Sequence, residues 1–256
     1  MSVAIEARNV CKSYGVLPIL KGIDFDLADG ATLAMIGPNG AGKTTLFKVL
    51  TGETPATEGS IRFYGEEIVG ESAFRRVARG IGRTFQVARV FLEMTARENV
   101  IVAIERRRRM TGQPLGRWYD FRPSAEIVEE AGQWLASVAL DRVAGTEARF
   151  ISHGDKKRLE LAVALALKPK VLMLDEPTAG MSPSDRHETV KLLARLRVEQ
   201  GITMMMTEHD MDVVFGLADT IMVLNYGKII ARGLPEAVRN DPTVREVYLG
   251  REVANA

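Results

Sequence analysis

Apolar and polar positions alternate along the first thirty residues, with Ile5, Ala7 and Asn9 on one side and Ile23, Phe25 and Leu27 on another. This period of two predicts antiparallel strands around a turn near Tyr14 and Gly15. Ile61 to Tyr64, bracketed by Gly59 and Gly65, reads as another strand. From Ala31 to Ile36 the alternation gives way to a short continuous apolar run, and Val171 to Leu174 and Ile202 to Met206 repeat it. Such runs are expected of strands buried on both faces of a parallel sheet. Helical periodicity dominates Ser124 to Leu140, Leu159 to Leu167 and His187 to Arg197. Between Val87 and Arg149 no buried-strand signal appears, and Thr111 to Pro114 marks a loop. The sum is an α/β core, a parallel sheet flanked by helices, with an N-terminal antiparallel β-subdomain and an inserted α-helical subdomain. The expected organisation is a single domain, with core segments 1–86 and 151–256 and a helical subdomain at 87–150.

Composition narrows the class. A chain of 256 residues that is 46% hydrophobic and 26% charged can bury one core of ordinary size. Lys and Arg number 34 against 33 Asp and Glu, so no global basic field points to nucleic acid. The run Arg106 to Arg109 reads as a solvated face, the alternative being contact with a partner or with anionic lipid. One cysteine, Cys11, excludes an internal disulfide framework and fits a reducing compartment. Residues 1–9 lack the basic-then-apolar layout of a signal peptide, so a cytoplasmic location is expected. The most apolar stretch, Leu159 to Leu174, is broken by Glu160, Lys168, Pro169 and Lys170, so no membrane anchor is expected.

The chemistry centres on Gly37, Pro38, Asn39, Gly40, Ala41, Gly42, Lys43 and Thr44, which match the phosphate-loop pattern between a buried strand and a predicted helix. Glycines let backbone N–H groups turn inward around phosphates, and the helix N-terminus adds partial positive charge. Lys43, read as an exposed loop lysine, adds a full charge, and the Thr44 hydroxyl can ligate Mg²⁺. ATP is the expected nucleotide. The strand Val171 to Leu174 ends in two acids, placing Asp175 at the carboxyl edge of the sheet where Mg²⁺ must sit and Glu176 facing the γ-phosphate. A carboxylate there can accept a proton from attacking water. Ser152, His153, Gly154 and Asp155 precede a helical run and read as an N-cap with Asp155 reaching back, a variant of the capping box. Taken singly, His209 after a strand, Gln86 at an element boundary and Tyr14 in a glycine-flanked turn are ordinary.

In order, Tyr14, the loop from Gly37 to Thr45, Gln86, the Ser152–Gly154 segment, Asp175 and Glu176, the turn from Ala179 to Ser182, and His209 resemble the motif series of an ABC-type ATPase. The resemblance implies that Tyr14 stacks on adenine and that Thr45 joins the ATP-binding loop. It further implies that Gln86 ligates Mg²⁺ with Thr44 and Asp175, and that His209 contacts the γ-phosphate beside the catalytic Glu176. Ser152 and Gly154 would close on the ATP of an opposing subunit. Two positions depart from the family pattern. Ile151 to Asp155 stands where Leu-Ser-Gly-Gly-Gln is usual, and Ser182 replaces an aspartate.

Arg83 to Gln86, Met94 to Asn99, Glu208 to Phe215, Asn225 to Gly227 and the ending Asn240 to Gly250 are similar to the ATP-binding subunits of branched-chain amino-acid importers. Such subunits work at the cytoplasmic face of the inner membrane beneath two permease subunits. They pair with a second ATPase, identical or related, and a periplasmic binding protein supplies the substrate. The alternatives are an ABC ATPase for urea, amides, aromatic acids or an exported lipid, and a non-transport ABC protein.

Overall fold

The computed structural model describes residues 2–113 and 122–246. The chain opens with a hairpin of β1 (Val3–Tyr14) and β2 (Leu17–Ala28), followed by β3 (Thr32–Ile36) and α1 (Lys43–Leu50). Then come β4 (Glu58–Phe63), β5 (Glu66–Glu67), α2 (Ala73–Arg79) and β6 (Ile81–Arg83). Helices α3 (Ala96–Met110), α4 (Ala125–Ser137) and α5 (His153–Ala166) lead into β7 (Val171–Asp175), α6 (Pro183–Gln200) and β8 (Thr203–Thr207). The remainder is α7 (Met211–Leu217), β9 (Thr220–Asn225), β10 (Lys228–Gly233), α8 (Pro235–Asn240) and α9 (Pro242–Val244). The end of the motif starting at Asn240, residues 247–250, lies outside the described residues, as does Pro114.

Two sheets form. One is antiparallel, in the order β2-β1-β4-β5; the other runs β10-β9-β3-β8-β7-β6 and is parallel except for the edge pair β9–β10. Side chains alternate across a strand, and here each side of the larger sheet meets its own core. Leu33, Met35, Val171, Met173, Met205 and Met222 pack with α1 and the antiparallel sheet. Ala34, Ile36, Leu172, Leu174, Met204, Met206 and Val223 pack with residues of α3 to α7. Burial on both sides is why these strands read as continuous apolar runs, and every residue of β3, β7 and β8 is buried.

Four expectations shift. Asn9 does not share the buried side with Ile5 and Ala7: it is exposed at φ 48°, the ladder slips between Ala7 and Val10, and Val10 takes the buried place. This is a β-bulge, which re-aims every later side chain. Helix α5 starts at His153 with Ser152 as its N-cap, as expected of that segment, but six residues before the helical periodicity begins at Leu159, because its first turn is polar and carries no apolar period. The Asp155 N–H donates to Ser152 Oγ at 3.1 Å, but the Asp155 carboxylate turns to Arg142 and Arg158 rather than back to the cap. The complete capping box belongs to Thr95 and Glu98 on α3. Finally, the arginine run is not one solvated face. Arg107 is buried, donating to both carboxylate oxygens of Glu130 and to Ala166 O, while Arg108 pairs with Glu126 and Arg109 is exposed.

Candidate active site

Residues Gly37 to Thr44 join β3 to α1 at the carboxyl edge of the parallel sheet, with Thr45 in the first turn of the helix. Gly37 stands at φ 153°, and a Cβ there would meet Leu224 O of β9 at 2.2 Å, so only glycine lets the loop pass the neighbouring strand. The β9–β10 turn braces the loop from the other side. Gly227 donates to Ala41 O at 2.9 Å, while its carbonyl accepts from Lys21 N at 2.9 Å. That contact accounts for the Asn225–Gly227 motif in local terms.

Lys43 is not an exposed loop lysine. It is 7% exposed, and its Nζ donates to Gly37 O at 2.6 Å and Pro38 O at 3.2 Å. Burial lowers its pKa, while Glu176 and Asp175 pull it back up. The ammonium thus holds the loop closed around its own carbonyls, facing two carboxylates.

Asp175 ends β7 and Glu176 follows it. Their backbone is fixed by β8, which lies between β3 and β7. Glu176 N donates to Thr207 O and Oγ1, each at 3.1 Å, and Thr207 Oγ1 donates to Asp175 Oδ1 at 2.9 Å. Glu176 itself sits at φ 49°, an uncommon region for a glutamate that costs on the order of 1 kcal/mol and persists where surroundings enforce it. Here Thr207 and Lys157 enforce it, the latter donating from Nζ to Glu176 O at 3.0 Å. The strained turn leaves the Glu176 carboxylate between two side chains. Gln86 Nε2 donates to Oε2 at 2.9 Å, and His209 Nε2 lies 2.9 Å from Oε1. Since a carboxylate accepts, that imidazole nitrogen is the protonated one.

Asn39 to Thr45, Glu176, His209 and Ile19 line one cleft of about 240 Å³. The structure therefore brings together the phosphate loop, Asp175, Glu176, Gln86 and His209. It does not bring Tyr14, Ser152 or Gly154 to that cleft. Tyr14 is half-exposed at the end of β1, on the same hairpin that delivers Ile19, with Lys12 Nζ 5.0 Å from its ring centroid. Ser152 caps α5 and is exposed, and a side chain on Gly154 would meet nothing within 4 Å. Ser182, like Ser152, is an N-cap, accepting from Asp185 N at 3.2 Å.

Several supporting residues carry no local sequence signal. Thr207 and Lys157 hold the Glu176 backbone. Glu160 on α5 is buried, and its carboxylate accepts from Phe85 N at 3.2 Å and Arg89 N at 2.7 Å, on either side of Gln86. Burial raises its pKa against those two N–H bonds. Glu208 Oε1 accepts from Thr178 N and Oγ1, fixing the turn after Glu176. Glu208 alone was findable, as an acid directly after a buried strand.

The donors present suit a small hard cation. Thr44 offers a hydroxyl, Asp175 a carboxylate and Gln86 an amide oxygen, and among the described residues no three His, Cys, Asp or Glu side chains converge into a protein-only metal cage. Mg²⁺ is commonly held in that manner, by one or two carboxylates together with substrate phosphates and water.

Comparisons with known proteins agree with this geometry. Residues 20–179 match the ABC transporter family, and residues 228–254 match the branched-chain amino acid ATP-binding cassette transporter family. The chain is 40% identical over 249 residues to the high-affinity branched-chain amino acid transport ATP-binding protein BraF of Pseudomonas aeruginosa, covering 96% of this chain and 97% of BraF. It is 38% identical to LivG of Escherichia coli, a protein of the same description, over the same shares. Its fold superposes with a TM-score of 0.84 and 31% identity on the ADP conformation of MJ1267, an ATP-binding cassette of an ABC transporter, covering 98% and 100% of the two chains. A phosphate loop, two acids ending a buried strand and near full-length matches lead to one conclusion: the chain belongs to the ABC transporter family, as an ATP-binding cassette that hydrolyses ATP.

Proposed function

We propose that this chain is the ATPase subunit of an importer for branched-chain amino acids, with Glu176 as the general base. The observation that carries the chemistry is the Glu176 carboxylate, held between Gln86 and His209 at the mouth of the phosphate cleft. Backbone N–H groups of Gly40 to Thr45 and the Lys43 ammonium bind the phosphates, which draw Lys43 away from the loop carbonyls. Glu176 takes a proton from the attacking water, and His209 orients the carboxylate and reaches the γ-phosphate. Tyr14 stacks on the base. Thr44, Gln86 and Asp175 would hold Mg²⁺, which when bound would supply charge neutralisation to the transferring phosphoryl group. Ser152, which is exposed, and Gly154, with open space before it at the start of α5, complete the ATP site of a second ATPase subunit.

The cargo is supported by the match at residues 228–254, outside the nucleotide loop, and by the names of BraF and LivG. Among the described residues no helix is long and apolar enough to cross a membrane. On this reading the chain works beneath two permease subunits at the inner face of the membrane, with a substrate-binding protein outside. We read the described residues 87–113 and 122–150 as a helical unit between core segments 2–86 and 151–246.

The test is reconstitution with its permeases and binding protein in proteoliposomes. Leucine, isoleucine or valine should stimulate phosphate release and accumulate inside, and Glu176→Gln should lower release by about 10²-fold or more while retaining ATP. Stimulation by urea or an aromatic acid but by none of the three would overturn the cargo. Turnover near wild type in the Gln variant would remove Glu176 as base.

A further inference from the structure

Arg83 ends β6, three residues before Gln86, and none of the roles above uses it. Its side chain is only 8% exposed and its Nε is buried without a partner. Nη2 donates to Asp175 Oδ2 at 2.9 Å. Nη1 donates to Thr51 Oγ1 at 3.3 Å and pairs with Glu53, which follows α1. The rings of Phe47 and Phe85 flank the guanidinium, their centroids 5.9 and 4.7 Å from its central carbon. A planar fork fixed at both ends and stacked against aromatic rings cannot swing away as a lysine can. Both Asp175 oxygens are thereby engaged, one by a full positive charge and the other by Thr207 Oγ1.

A buried carboxylate left alone is costly, and a guanidinium beside it offsets part of that cost. The same guanidinium repels any second cation approaching Asp175. Arg83 thus cancels one of the carboxylate charges beside the cleft before any nucleotide arrives. A polyphosphate adds several negative charges that Arg83 does not cancel. We propose that Arg83 is a positioning residue, the resident counter-cation of Asp175, which makes the site take a divalent ion together with nucleotide and reject it without. The inference rests on Asp175 as the residue that faces the metal.

Mn²⁺ reports binding directly through its electron paramagnetic resonance signal, independently of turnover. Without nucleotide, Arg83→Gln should bind Mn²⁺ roughly tenfold more tightly than wild type, the scale set by removing one charge a few ångströms away in a partly solvated site. Arg83→Lys should stay near wild type, and adding Asp175→Asn to Arg83→Gln should cancel the gain. With ATP present, wild type and Arg83→Gln should differ by less. Nucleotide-free affinity in Arg83→Gln equal to or below wild type overturns the proposal. If ATP-dependent Mn²⁺ uptake survives Asp175→Asn, the placement of the metal fails first; if Asp175→Asn abolishes it and Arg83→Gln shows no gain, the role of Arg83 alone fails. Should Arg83→Gln not fold, Glu53→Gln serves instead. Releasing Arg83 from Glu53 turns its charge wholly on Asp175 and should weaken nucleotide-free Mn²⁺ binding about threefold, whereas unchanged or tighter binding overturns the proposal.

Discussion

Lys43 shows how one residue serves the loop before it serves the ligand. Its ammonium is desolvated and bonded to two loop carbonyls, so on the proposed function it is stored within the loop rather than waiting in water. Replacing it with alanine removes the cost of burying a charge and also leaves Gly37 O without its donor. Those effects oppose each other, and the net change in stability should stay within about 1 kcal/mol. ATP hydrolysis should nevertheless fall by about 10²-fold or more, because no other described side chain donates to those carbonyls and brings a charge to the same spot. Chemical denaturation alongside phosphate release checks both halves. A fall of several kcal/mol would make Lys43 chiefly structural.

At the scale of elements, α3 is instructive because its sequence hides it. The buried face runs through Ala96, Val100, Ala103, Ile104 and Arg107, so an arginine occupies a core position and spoils the apolar period. What allows this is the Glu130 carboxylate on α4, met by both Nη atoms at 2.8 Å. Arg107 in turn holds Glu130 below its ordinary pKa, chiefly through that hydrogen bond. A depressed carboxylate pKa contributes stability that is present above the unfolded value of about 4.5 and lost as pH falls through the lower folded value. Urea melts across that range should show the loss in wild type, and Glu130→Gln should be less stable at neutral pH with a flatter acid limb. Equal slopes in the two proteins would show that the pair does not couple the helices.

The same contrast decides what was legible in the sequence. Strands buried on both faces announce themselves, and so do a glycine-rich loop and two acids at a strand end, because each signal is local. β6 is three residues long with Gly82 at its centre, too short for any period. The first turn of α5 is polar, and the bulge at Asn9 shifts a register that the alternation took as continuous. In the site, Thr207, Lys157 and Glu160 meet partners far away in the chain, so their roles exist only once the sheet and α5 are assembled.

Across the whole molecule, the two sheets share one core side and are also fastened at their rim. The Tyr64 hydroxyl, in the turn after β4, donates to Asp29 Oδ1 at 2.6 Å, and the same oxygen accepts from Thr203 Oγ1 of β8 at 3.1 Å. Desolvation and then the Asp29 bond push the Tyr64 pKa up to about 12. A raised pKa means stability that is complete below the ordinary tyrosine value near 10 and lost as pH rises through about 12. Because the pair is at the surface, Tyr64→Phe should cost only about 1 kcal/mol at neutral pH, and its stability should no longer fall in that alkaline window. Melting temperatures at pH 8 and pH 11 for both proteins decide it, and parallel losses would dismiss the clasp.

The tethers on α5 have a mechanical consequence for the whole. Glu160 grips the segment around Gln86 from within α5, the helix capped by Ser152, and Lys157, one turn earlier, grips the carbonyl of Glu176. Three regions that are remote in sequence are thus tied to one helix, so a displacement of the Gln86 segment is expected to pull on α5 and through it on the Glu176 turn. Cutting one tether should free its end alone. In Glu160→Ala, hydrogen exchange at the Phe85 and Arg89 amides should quicken by about tenfold or more while the Glu176 amide keeps its protection. Uniform quickening would mean general loosening; the selective pattern would mean that Glu160 fastens the Gln86 segment to α5 independently of the Lys157 tether to the Glu176 turn.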